Sequence, residues 1–118
     1  MAQPQVEIQA ESIEELLLRA YEHAYEQVWT DGLPIIPATP ERVKTFVAAS
    51  GRAADDLIGL LPPRKGRATV EAMAVSAIMA GCRPEYMPVI VGAVEGMIDP
   101  SDPREVRQVT TNPMTPVL

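Results

Sequence analysis

The chain has 118 residues, of which 47% are hydrophobic, and one cysteine. That is a globular composition with room for one domain, and it excludes an internal disulfide and a cysteine-built metal cage. The net charge of −6 is lopsided: residues 1–31 hold seven acids and one base, and the remaining 87 hold nine of each. An acidic front end argues against a nucleic-acid or anionic-membrane partner, and suits either a solvated helix face or a basic protein partner.

Residues 1–10 read as a tail or short edge strand, with Val6 and Ile8 alternating against polar neighbours. From Ser12 to Trp29 the pattern is helical. Ser12 and Glu15 form a capping box, and Ile13, Leu17, Tyr21, Ala24 and Val28 make an apolar stripe widened by Leu16, Ala20 and Tyr25. Glu14, Glu15, Arg19, Glu22, His23 and Glu26 fall on the opposite, polar face. Asp31-Gly32 is the expected stop.

An extended, proline-bracketed segment over 33–37 leads to a second helix. Thr39 is its expected N-cap, Pro40 its first residue and Gly51 its left-handed cap. "DLIGLLPP" reads as a short strand and "RKGRA" as a basic loop. Thr69 then caps "TVEAMAVSAIMAG", a helix apolar on nearly every side and closed by Gly81. "PEYMPVIVGAVEGMID" is the fourth helix, with both prolines near its first turn. "REVRQVTTN", residues 104–112, alternates like a strand before the chain stops in the apolar "PMTPVL". The fold class expected is α/β, with α+β as the alternative: a helix-rich single domain over 11–118, with about four helices and two or three short strands. The apolar ending leads us to expect a surface completed by another chain.

Three stretches hold residues suited to chemistry, and each has a plain structural reading beside it. Cys82 lies between Gly81 and Arg83-Pro84. Cysteine is commonly a small core hydrophobe, but a helix start and an arginine both favour a thiolate. His23 lies on the polar face of the first helix, so a Cys–His nucleophile is unsupported. Arg64, Lys65, Arg67 and Thr69 surround a helix start, where unpaired N–H groups and cations attract a carboxylate or phosphate; the same residues also make an ordinary solvated turn. The order of a Walker loop is absent. Arg83, Glu85 and Tyr86 open the fourth helix, where Glu85 suits the helix dipole and serves as a general base only if buried beside a substrate. Thr110, Thr111 and Asn112 end the last expected strand, as pocket lining or as a turn. One histidine and scattered carboxylates give no metal-ligand spacing, and the sequence leaves the cofactor unknown, including any metal or cofactor carried by a partner chain. No basic-then-apolar leader and no bilayer-length apolar run is present, so the cytoplasm is the expected location.

Taken in order, "TDGLPIIPATPERV", "LLPPRKGRATVEAMAVSAIMAGCRPEYMPVIVGAVEGM" and "QVTTNP" resemble the N-terminal part of a bacterial family associated with UGSC-type (seleno)proteins. The resemblance covers roughly residues 29–116 and is most specific in "LPPRKGRATVE" and "GCRPEYMPV". Members of that family are longer, and the UGSC motif of the associated proteins implies thiol or selenol redox chemistry. That motif is absent here, so this chain cannot supply that nucleophile. The expectation is a small subunit of a hetero-oligomeric bacterial enzyme, lending polar residues to a site shared with a larger protein subunit. Cys82 and Glu85 would stand at the chemistry. Arg64, Lys65, Arg67, Thr69, Arg83, Tyr86, Thr110, Thr111 and Asn112 would bind a small anionic substrate for thiol/redox or lyase chemistry. The alternative is a non-catalytic assembly or regulatory subunit, with "GCRPEY" only a joint between helices.

Overall fold

The computed structural model describes residues 4–61 and 65–99. Four α-helices and one antiparallel strand pair follow in the order α1 (Ile13–Glu26), α2 (Pro40–Ser50), β1 (Leu57–Leu61), β2 (Gly66–Thr69), α3 (Val70–Met79) and α4 (Met87–Ile98), the last entered through a 3-10 turn, Pro84–Tyr86. This is the helix-rich architecture expected, its hairpin placing it on the α+β side. Residues 4–10 join no ladder, and the expected strand over 104–112 lies outside the described residues.

Local chemistry accounts for most of these boundaries. Ser12 Oγ accepts from the Glu15 N–H at 3.1 Å, while Glu15 Oε2 accepts from the Glu11 N–H at 3.0 Å, so the box closes one residue further out than usual. Thr39 and Thr69 cap α2 and α3 through their hydroxyls, and Gly51 takes the left-handed conformation (φ 70°) after α2. α3 ends in a Schellman motif: the Gly81 N–H (φ 80°) donates to Ile78 O at 2.9 Å and the Cys82 N–H to Ala77 O at 2.9 Å.

The end of α1 differs from expectation. The helix stops at Glu26, well before Gly32. It closes with the same pair of bonds as α3, Val28 N–H to Tyr25 O at 3.1 Å and Trp29 N–H to Ala24 O at 2.9 Å. Here Val28 occupies the left-handed position, φ 58°, that Gly81 fills in α3. A β-branched residue there is strained by about 1–2 kcal/mol. Because Val28 is 85% exposed, little packing offsets that strain. Val28→Gly therefore raises stability by about 1 kcal/mol, and Gly81→Val lowers it by a similar amount; urea midpoints of the two variants check both signs.

The core forms where α2, α3 and α4 meet. Phe46 from α2, Val70, Met73, Ala74, Ala77 and Ile78 from α3, and Met87 and Val91 from α4 make one buried cluster. Small residues on α3 let its neighbours approach closely, which replaces the bulk that aromatic rings would otherwise supply. The hairpin covers one end of this cluster through Ile58. Its register pairs Leu57 with Thr69 and Gly59 with Ala68, with an irregularity between Leu57 and Gly59. A Cβ at Gly59 would stand 2.8 Å from Ile98 Cδ1, so a larger residue there must displace the Ile98 side chain. "RKGRA" is thus not a loop throughout: Gly66–Thr69 pair as β2 and run straight into α3.

The core cluster contains nothing from α1. Ala24 is buried, at 1% exposure, yet Ile13 is 77% and Leu17 52% exposed, and Leu16, Leu18, Tyr25 and Trp29 are also exposed. Polar ties join α1 to the segments on either side of it: Arg19 Nη1 donates to Gln9 O at 2.7 Å, and Tyr21 Oη donates to Gly32 O at 2.9 Å. The stripe expected to face the core instead faces outward along most of its length.

Candidate functional site

α3 separates the two segments that the sequence singled out. Its ten residues rise about 15 Å. Lys65 and Arg67 lie at or before its start; Cys82, Arg83, Glu85 and Tyr86 follow its end. The structure therefore does not bring the "RKGRAT" and "GCRPEY" residues into one site within the described chain.

At the start of α3 the backbone donors are already engaged. The Val70 N–H donates to Asp56 O at 3.1 Å, the Glu71 N–H to Ala54 O at 2.9 Å, and the Ala72 N–H to Thr69 Oγ1 at 3.2 Å. These are the groups an anion would use at a helix N-terminus. Lys65 (φ 53°) and Arg67 are exposed, so an anion here would depend on their side chains; Arg64 lies outside the described residues. Thr69 acts as a cap. Thr69→Ala therefore costs about 1 kcal/mol and Thr69→Ser restores most of it, as thermal melts of the two variants will show.

At the far end of α3 the arrangement is more open. Cys82 is half-buried and packs against the core, its N–H held by the Schellman motif. It lines a groove of about 430 Å³ together with Arg42, Thr45, Phe46, Arg83 and Pro84. The Ile36 N–H donates to Met79 O at 3.2 Å and fixes the proline-bracketed segment along one edge of this groove. Among the described residues neither Arg42 nor Arg83 forms an ion pair; the two recorded pairs are Arg19–Glu15 and Arg52–Glu95. Two guanidinium groups beside a thiol can receive a small anion. Glu85 and Tyr86 are exposed beyond the groove's lining. Thr110, Thr111 and Asn112 lie outside the described residues.

Sequence reasoning missed Arg42, which reads there as an ordinary first-turn helix residue. Only the packing of α2 against the end of α3 brings it beside Cys82. His23 is a correction. It does not lie on a solvated face: its ring meets Trp29 edge-on, centroids 5.3 Å apart at 81°, and its Nε2 is buried without a hydrogen-bond partner. The early end of α1 at Glu26, which turns Trp29 back toward Ala24, makes that contact. Among the described residues, no group of three or more His, Cys, Asp or Glu is placed to hold a metal ion, and no helix is long and apolar enough to cross a membrane.

No protein-family model, curated protein or solved structure matches this chain.

Proposed function

We propose that this chain is the small, partner-docking subunit of a hetero-oligomeric assembly, attached to a larger chain through α1. The observation that carries this reading is the exposed apolar stripe Ile13–Leu16–Leu17, on a helix that gives nothing to the core cluster. Contiguous exposed apolar surface with a polar border is the mark of an interaction face. Its chemistry also selects the partner. The face of α1 opposite the stripe carries Glu14, Glu15, Glu22 and Glu26, within a segment of net charge −6. A second copy would set like charge against like charge, whereas an apolar groove rimmed by Lys and Arg would complement it. The resemblance to the UGSC-associated bacterial family agrees with a component role.

A second reading extends the first, and the groove at the end of α3 favours it: the docked subunit lends Arg42, Arg83 and Cys82 to a small anionic substrate of the assembly. On that reading Arg83→Ala lowers the assembly's activity and leaves its native mass unchanged.

The docking reading is tested by the native mass of the protein purified from its own source, with each co-purifying chain identified. A stoichiometric complex with one larger chain is expected. A lone monomer or homodimer at the same concentration contradicts it.

A further inference from the structure

β1 is an apolar edge. Among the described residues its ladder partner is β2, and the other side of the strand has no strand beside it. α4 does not occupy that side: a Cβ at Gly59 would point at Ile98, and side chains stand away from the plane of a sheet, so α4 lies over a face of the hairpin. An open edge is a template for another strand, and charge within the strand is the common way of blunting it. β1 holds no charged residue. Ile58 packs against the core, while Leu57 and Leu60 are each 45% exposed.

Charge sits at the two ends of the strand instead. Exposed Asp55 and Asp56 precede it, and exposed Lys65 closes the turn that follows it. None of the three forms an ion pair among the described residues. An uncharged strand with an acidic start and a basic finish is complementary to itself when run antiparallel, since each acidic end then meets the other copy's basic end. Parallel pairing would set like charge beside like.

We propose that β1 is a self-association edge: two copies of this chain pair β1 with β1, antiparallel across a two-fold axis, and join their hairpins into one four-stranded sheet. Backbone hydrogen bonds across the axis supply the attraction, and the charged ends fix the direction. The larger sheet also steadies a hairpin that is marginal with two strands alone. This goes beyond the docking reading and does not depend on it, because it uses β1 and leaves α1 to the larger chain. The like-charge objection to a second copy at α1 does not arise at this strand.

The test is sedimentation equilibrium of the full chain alone, over about a hundredfold range of concentration and at low and high salt. A reversible dimer that weakens as salt rises is expected. Leu60→Glu should weaken it at least about tenfold, because the symmetry places the new carboxylate at the edge twice. The hairpin itself should accept that change, since Leu60 pairs with Arg67 across the ladder. Lys65→Asp should weaken the dimer about threefold or more, and adding Asp55→Lys and Asp56→Lys, which exchanges the two ends, should restore it. Aspartate is tolerated at the left-handed φ of 53° that Lys65 adopts, so this series keeps the test sound if Leu60→Glu fails to fold. Leu17→Glu should leave the dimer unchanged, which separates this result from the fate of the α1 reading. A chain that stays monomeric throughout would overturn the proposal and give the edge to another segment of the same chain. A dimer lost with Leu17→Glu and kept with Leu60→Glu would overturn it by placing the second copy on α1.

Discussion

Ile78→Ala destabilises this protein by about 2–5 kcal/mol, while Leu17→Ala changes its stability by no more than about 0.5 kcal/mol. Both are large aliphatic residues on a helix and both lie on apolar stripes. They differ in what surrounds them. Ile78 is among the most fully buried side chains, inside the cluster made by α2, α3 and α4. Truncating it removes its burial and leaves a cavity that the short helices cannot fully collapse. Leu17 stands largely in solvent on a helix outside that cluster, so truncation removes little. Urea unfolding of the two variants beside the parent chain separates the cases. Equal losses would mean that α1 packs into the core, contrary to the fold described above.

Leu17→Glu moves the large effect from stability to assembly. In the isolated chain it adds one acid to an already acidic, exposed helix, a change within about 0.5 kcal/mol. In the proposed assembly it would place an unpaired carboxylate at the centre of the docked stripe, between Ile13 and Ala20 on adjacent turns. Central apolar anchors of this kind carry about 2 kcal/mol or more, at least a thirtyfold loss of affinity for the larger chain. Glu22→Gln, on the face of α1 opposite the stripe, should change mainly the association rate and its salt dependence. Surface binding measured at two ionic strengths with both variants distinguishes an apolar anchor from a general charge effect. Equal affinity of Leu17→Glu and the parent chain would remove α1 from the interface.

Much of this fold is legible in the sequence because its signals are local. Ser12, Thr39 and Thr69 mark helix starts through a hydroxyl within reach of an N–H three residues on, and Gly51 and Gly81 mark helix ends through a backbone conformation that glycine adopts without strain. Val28 shows where such reasoning stops. Nothing local selects a β-branched residue for a left-handed position. It is held there by the two bonds closing α1 and by Trp29 folding back over His23. β2 was hidden for a related reason: four residues carrying a glycine and an arginine become a strand only through pairing with β1. The apolar stripe on α1 is legible by its periodicity, but periodicity does not say what covers that face, and most of it is exposed in the structure. The candidate site divides the same way. Cys82 and Arg83 stand out by composition, whereas Arg42 joins them only through tertiary packing.

Hydrogen exchange along the chain, alone and in the complex purified from its own source, tests the central claim most directly. With α1 as the docking element, the amides of Ile13–Glu26 gain the largest protection in the complex, and those of α3, already inside the core, change little. Protection confined to the "GCRPEY" turn, with α1 exchanging at the same rate in both states, would contradict the account and place the partner at the other groove.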